Sequence, residues 1–165
     1  MPSCPVLLRA TLTAIVLCGL LPVGGKSAAA EKPPRALKLH VPSPDWRDQI
    51  IYFVLTDRFA DGDPTNNDQG AGEYAAGQRG RYNGGDLRGI TQRLAYIRGL
   101  GATALWITPP VANQWLDPAG SHAGYHGYWA ENFMQVDRHL GSLADYQALS
   151  HALHSQGMQI GRAHV

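Results

Sequence analysis

Two apolar runs constrain this chain more than any other feature. The first is Gln49-Ile50-Ile51-Tyr52-Phe53-Val54-Leu55-Thr56, and the second is Ala102-Thr103-Ala104-Leu105-Trp106-Ile107-Thr108. Both are short, nearly continuous and rich in β-branched and aromatic residues, as strands buried on both faces should be. Each is followed by a long polar loop, residues 57–85 and 111–141, and then by apolar residues at helical spacing. Ile90, Leu94, Ile97 and Leu100 mark the first helix, which Gly99 or Gly101 ends. Ser142 is placed to cap a second helix, with Asp145 in its first turn. Leu143, Tyr146, Leu149 and Leu153 give that helix its apolar face, and Gly157 closes it. Met158-Gln159 then opens a third strand.

Strand, helix, strand, helix, strand is the order of a parallel sheet with right-handed crossovers. Long loops after the strands and short turns after the helices are the habit of a (β/α)8 TIM barrel, whose strand-to-helix loops build the active face. A complete barrel takes about 250 residues. The expected fold is therefore α/β: the N-terminal portion of such a barrel, about two and a half βα units, incomplete. An open doubly wound sheet fits less well, because no G-x-G-x-x-G turn follows either strand. An incomplete barrel leaves strand edges open, so the chain by itself is expected to aggregate or be proteolysed rather than unfold cooperatively.

The two ends read differently from the middle. Arg9, the apolar run Ala10–Leu21 and the small residues Ala28-Ala29-Ala30 form the three parts of a signal peptide over residues 1–30. The apolar run is too short to span a bilayer. Export to the periplasm or the exterior is expected, with no stable membrane anchor after cleavage. Cys4 and Cys18 leave with that segment, so the mature protein has no disulfide. Residues 31–44 are polar and proline-rich and read as a linker into a domain over 45–159. Residues 160–165, Ile-Gly-Arg-Ala-His-Val, would be encoded by ATC GGA AGA GCA CAC GTC, a string shared with a common sequencing adapter. They are expected to be an artefact of a truncated reading frame. Between Glu31 and Gln159 there are 11 basic and 13 acidic residues, which gives no electrostatic reason for a nucleic-acid partner.

Two clusters carry chemistry. Asp57 to Asp68 is dense in Asp and Asn, whose hard oxygen atoms suit calcium, and Gly84-Gly85-Asp86 offers a backbone carbonyl and another carboxylate. The loop is no EF-hand: the sixth position from Asp61 is Asn66, not Gly, and no Glu stands at the twelfth. The same residues are also good turn formers, so spacing alone leaves both readings open. The second cluster is Tyr125-His126-Gly127-Tyr128-Trp129. Aromatic faces stack on sugar rings and an imidazole hydrogen-bonds their hydroxyls, but the cluster could equally be a small aromatic core. Trp106 and Trp115 read as packing residues. His122 and His126 are four apart, yet Gly124 and Gly127 argue against a helix aligning them. His151 and His154 fall on the second helix. No zinc-type His/Cys spacing, nucleophile elbow or phosphate loop occurs.

Taken together these segments resemble the N-terminal part of an α-amylase-family enzyme, glycoside hydrolase family 13. Residues 49–59 resemble the family's first barrel strand, and 101–110 its second. Tyr125–Trp129 resembles the segment that contacts the glucose unit at the cleavage point. The resemblance implies that His126 hydrogen-bonds that sugar and Tyr128 stacks on it, with Tyr125 and Trp129 beside them. Asp61–Asn67 and Gly84–Asp86 resemble a calcium site of cyclodextrin glucanotransferases and related secreted amylases. It implies Ca2+ ligands Asp61, Asp63, Asn66, Asn67, Gly84 through its carbonyl, and Asp86. The implied activity is retaining cleavage or transfer on α-glucans such as starch, maltodextrin or cyclodextrin. The family's catalytic carboxylates, and the Asp-x-x-x-Asn-His segment of its third strand, match nothing here. Asp117, Glu131 and Asp137 lie in the active-face loop without any motif that makes them catalytic, so no catalytic residue is assigned and the chain alone is expected to be inactive. A non-catalytic carbohydrate- or calcium-binding protein on the same fold is the alternative.

Overall fold

The computed structural model describes residues 44–163. Residues 1–43, where the signal peptide and most of the linker are expected, and residues 164 and 165 lie outside the described residues. A single 3-10 turn, Trp46–Asp48, capped by the Asp45 carboxylate, leads into the first strand. The strands and helices then follow as β1 (Ile51–Val54), α1 (Leu87–Gln92), α2 (Leu94–Gly99), β2 (Ala104–Ile107), β3 (Val111–Asn113), β4 (Ala130–Val136), α3 (Leu143–Ser155) and β5 (Gln159–Arg162).

β1, β2 and β5 form a parallel sheet in the order β1-β2-β5. Ile51 lies opposite Ala104, and Ala104 opposite Gln159. Ile160–Arg162 thus continue β5, opposite Leu105, Trp106 and Ile107. Side chains alternate across a strand, so Tyr52, Val54, Leu105 and Ile107 share one face. That face packs on Leu87, Ile90, Leu94 and Ile97 from α1 and α2, and on Leu149 and Leu153 from α3. The opposite face carries Ile51, Phe53 and Trp106. Phe53 is 50% exposed and Trp106 45%, their rings in edge contact at 5.1 Å. The sequence reading of strands buried on both faces is corrected here, while Trp106 packs on Phe53. Helices cover one face only, and among the described residues no layer covers the other.

The first helix is two short helices rather than one. Arg93, at φ −103° and ψ 11°, separates α1 from α2. Gly89 has weak helix propensity, and the Thr91 hydroxyl donates back to the Leu87 carbonyl at 2.9 Å, an arrangement that bends helices. Leu100 lies outside the helical face and is exposed. α3 matches the sequence reading closely. Ser142 caps it, and the Asp145 carboxylate accepts in turn from the Ser142 N–H, a complete capping box. Leu143 departs from the expected face, at 61% exposed.

The long loop after β2 is not structureless. Its two ends pair as the antiparallel strands β3 and β4, with Val111 opposite Val136 and Asn113 opposite Ala130. The register shifts between these pairs. β4 reads Ala-Glu-Asn-Phe-Met-Gln-Val and exposes Phe133 and Met134, so it lacks the alternation that would mark a strand in sequence.

Candidate functional site

The segment Tyr125–Trp129 hangs between β3 and β4, just beyond the end of β2. Gly127 makes its turn possible. It sits at φ +82°, and a Cβ there would come within 2.3 Å of the Pro109 carbonyl oxygen. The turn brings the Tyr128 N–H to His126 Nδ1, at 3.0 Å. Nδ1 therefore acts as acceptor, the proton of the neutral ring sits on Nε2, and no described residue takes it. Burial lowers the His126 pKa, which favours that neutral ring. The Trp129 and Tyr125 rings meet the imidazole edge-on at 4.8 and 5.5 Å, and the Tyr128 ring leans over it at 5.9 Å. Tyr128 is exposed. The Arg58 guanidinium lies 3.7 Å above the Tyr125 ring, a cation–π contact that holds Tyr125 from the β1 side. Arg58 is itself tied to the Asp57 carboxylate and the Arg79 carbonyl.

A cleft of about 490 Å³ opens beside Tyr128 and Trp129, lined also by Gln114, Asp117, Glu131 and Phe133. Its wall supplies an aromatic face and two carboxylates. Asp117 holds a local turn by accepting from the Ser121 hydroxyl and the His122 N–H. His122 is exposed and on no helix, as its flanking glycines imply.

The second cluster gathers around Asp86, the buried N-cap of α1. Its carboxylate accepts from the N–H groups of Gly62, Asp63 and Gly89 and from Asn66 Nδ2. Burial raises the Asp86 pKa and these four donors act against it. Asn67 Nδ2 donates to Asp61 at 2.7 Å. Gly84, at φ +95°, packs so tightly on Asn67 that a Cβ would lie 2.6 Å from its carboxamide. Five of the six calcium-type residues are thus linked in two groups, Asp86 with Asn66 and Asp61 with Asn67 and Gly84, through their side chains or, for Gly84, the backbone. Asp63 is the exception. Its carboxylate caps the turn Pro64–Asn66, accepting from the Thr65 N–H and hydroxyl, and pairs with Arg88 at 2.8 Å. The Thr65 hydrogen bonds lower its pKa.

Two atoms in this cluster have no protein partner: the buried carboxamide oxygens of Asn66 and Asn67. A buried acceptor left unmade is costly, and a hard cation is one group that satisfies it. Among the described residues no three His, Cys, Asp or Glu are arranged to hold a metal, so any cation here would depend on amide and carbonyl oxygens as well.

A third polar cluster escaped the sequence reading. His139 is 1% exposed, with Nε2 3.0 Å from Glu73 Oε1 and Nδ1 2.9 Å from Asp137 Oδ1. Burial acts to raise the Glu73 pKa. Hydrogen bonds from His139 and the N–H groups of Gln69 and Ala71 outweigh it and hold Glu73 below the usual glutamate range. Asp137-Arg138-His139 could be noticed locally, since Asp137 accepts from the His139 N–H. Nothing in the sequence points from His139 to Glu73, 66 positions away.

A family model described as the alpha amylase catalytic domain matches residues 53–161. The chain belongs to the α-amylase family. It is 43% identical over 112 residues to a cyclomaltodextrin glucanotransferase of Klebsiella oxytoca, covering 67% of this chain and 17% of that protein. It is 40% identical over 124 residues to the periplasmic alpha-amylase of Escherichia coli K12, covering 70% of this chain and 18% of that one. Among solved structures, the gamma-cyclodextrin glucanotransferase of an alkalophilic Bacillus clarkii aligns with TM-score 0.65 and 39% identity, over 69% of this chain and 18% of that chain. This α-amylase-family chain therefore spans less than a fifth of these relatives' length. Its parallel sheet with covering helices is a piece of the family's catalytic fold. Among its described residues no helix is long and apolar enough to cross a membrane.

Proposed function

We propose that this chain is the leading part of an exported α-amylase-family enzyme that cleaves or transfers α-glucans with retention, and that Tyr125–Trp129 is where it grips a glucose unit. One observation carries this reading: His126 is held by the Tyr128 N–H so that Nε2 is left to donate, next to the exposed Tyr128 ring and the cleft. A neutral imidazole donor beside an open aromatic face suits a sugar hydroxyl and the apolar face of its ring. In this reading the sheet β1-β2-β5 is the start of a (β/α)8 barrel, whose interior would accept Ile51, Phe53 and Trp106. Residues 1–30 serve as the signal peptide. The catalytic carboxylates belong to strands beyond this chain, so no residue here is assigned an acid, base or nucleophile role.

The Asp86 cluster fits a structural calcium ion. Asp61, Asn66, Asn67, Asp86 and the Gly84 carbonyl would hold it, and Asp63 could join after leaving Thr65 or Arg88. When bound, such an ion supplies charge that ties the 61–67 loop to the start of α1. It is distant in role from the chemistry of bond cleavage.

The test uses the product of the complete locus, titrated calorimetrically with maltohexaose. Binding is expected, weakened about tenfold by Tyr128→Ala, the scale of losing one stacked aromatic face or one good hydrogen bond, and by a similar factor by His126→Ala. No binding by the parent protein, or equal binding by all three, refutes the reading.

A further inference from the structure

The buried Glu73–His139–Asp137 cluster is linked through Asn113 to both ends of the Tyr125–Trp129 segment, and the proposed function does not use it. Its hydrogen bonds are closely filled. Glu73 accepts from the N–H groups of Gln69 and Ala71 as well as from His139. Asp137 Oδ1 accepts from the His139 backbone and faces its ring, and Asp137 Oδ2 accepts from the Asn113 N–H and Trp115 Nε1. The Tyr82 ring stacks on the imidazole at 3.8 Å and 10°, and the Trp115 ring meets it edge-on. Two carboxylates and an imidazole are expensive to bury, and an apolar cluster of the same volume would be as stable or more so. What such a network adds is a single fixed arrangement of the groups attached to it.

The group attached to it is Asn113. With its N–H held by Asp137, the Asn113 side chain reaches both ends of the sugar-facing segment. Nδ2 donates to the Gly124 carbonyl at 2.6 Å, and Oδ1 accepts from the Trp129 N–H at 2.6 Å. Gly124 is needed for this approach, since a Cβ there would lie 2.2 Å from Asn113 Nδ2. Residues 125–128 form the span between the two grips, and they include His126 and Tyr128. We propose that Asn113 is a positioning residue that clamps the 124–129 segment, and that the Glu73–His139–Asp137 bridge fixes that clamp to the loop carrying Glu73. The link to sugar binding rests on the function proposed above; the clamp itself does not.

The product of the complete locus tests both parts by amide hydrogen exchange and by maltohexaose affinity. In Asn113→Ala the Trp129 amide should exchange at least about tenfold faster, the size of one lost buried hydrogen bond. Maltohexaose affinity should fall by a similar factor. Leu105 and Ile107 in β2 should keep their parental protection. His139→Gln, which cannot bridge both carboxylates, should move Trp129 in the same direction. Asn113→Asp keeps the acceptor and loses the donor, so it should give intermediate exchange across 124–129. Unchanged Trp129 protection in Asn113→Ala, or parental exchange across 124–129 in Asn113→Asp, overturns the proposal. So does equal loosening of β2 and Trp129 in every variant, which marks a general stabilising role. Faster Trp129 exchange in a protein that never binds maltohexaose supports the clamp and refutes the sugar reading alone.

Discussion

The sheet-and-helix half and the loop half of this molecule are held by different forces. Between β1, β2, β5 and the helices the buried residues are Val54, Leu87, Ile90, Leu94, Ile97, Leu105, Ile107, Leu149 and Leu153. Around the loops they are mostly polar, Asp57, Asn67, Glu73, Asp86, Asn113, Asp137 and His139, with Tyr82 and Ala123 among them. Apolar burial is non-directional, so it stabilises an arrangement of elements without fixing any one atom. Hydrogen bonds to buried carboxylates and amides are directional, and leaving one unmade is costly. The first half therefore makes a platform and the second sets the geometry of His126, Tyr128 and the Asn66–Asn67 oxygens. The comparison explains why the chemistry-bearing residues sit where side-chain polarity, not hydrophobic pattern, decides the backbone path.

The strongest way to break the comparison is to damage the platform. Leu149 is fully buried between α3 and the sheet. Leu149→Ala removes its contacts and leaves a cavity, at a cost of about 3–5 kcal/mol. Because the loops hang from the strand ends, both halves should loosen together. Chemical denaturation of the locus product, followed by exchange in β2 and at Trp129, checks this. Survival of the sheet's protection while the loops alone loosen would show that the platform does not depend on α3.

The same division explains what was legible in the sequence. β1, β2, α3 and the start of β5 are driven by apolar pattern and a local cap, and both are visible in a linear reading. The Ser142–Asp145 capping box spans only four residues. The loop half depends on partners far apart in the chain. Asn113 meets Gly124 and Trp129, Asp86 meets Gly62 and Asn66, and His139 meets Glu73. β3 and β4 carry no strand signal in the sequence, because their pairing follows from those contacts rather than from alternation. The Asp and Asn density of 61–67 was visible, but the turning of Asp63 onto Thr65 and Arg88 was not, since a carboxylate so close to a 3-10 turn can serve either as cap or as ligand.

Metal removal is the next largest effect and sharpens the comparison, because it should touch one half only. A site with free calcium about a hundredfold above its dissociation constant contributes about 2.7 kcal/mol. Chelation of the locus product should lower its melting temperature, and calcium alone should restore it where magnesium does so poorly. Exchange should quicken at residues 61–67 and 84–86 and stay slow in β2. Asn67→Ala, which removes one of the two unpartnered oxygens and the hydrogen bond to Asp61, should lower the melting temperature more with calcium present than after chelation. A melting temperature indifferent to chelator returns the cluster to a set of turns closed by Asp86.

The smallest effect lies at the seam between the halves. Ser142 follows the loop that carries Asp137 and His139 and starts α3, which packs on the sheet. Its hydroxyl accepts from the Asp145 N–H and its own N–H is bound by Asp145, which also faces Arg88 on α1. The Ser142 hydrogen bonds lower the Asp145 pKa, so the cap is strongest with that carboxylate ionised. A folded pKa below the unfolded one gives stability that is present above the ordinary aspartate range and lost as pH falls through the folded value. Ser142→Ala should cost about 1 kcal/mol and should also flatten the acid side of the stability profile. Exchange should rise in the first turn of α3 and not at Trp129, because the proposed clamp on residues 124–129 runs through Asn113 and Asp137 rather than through this helix. Coupled loosening of Trp129 in Ser142→Ala would mean instead that the helix start, and not the buried polar bridge, holds the loop half in place.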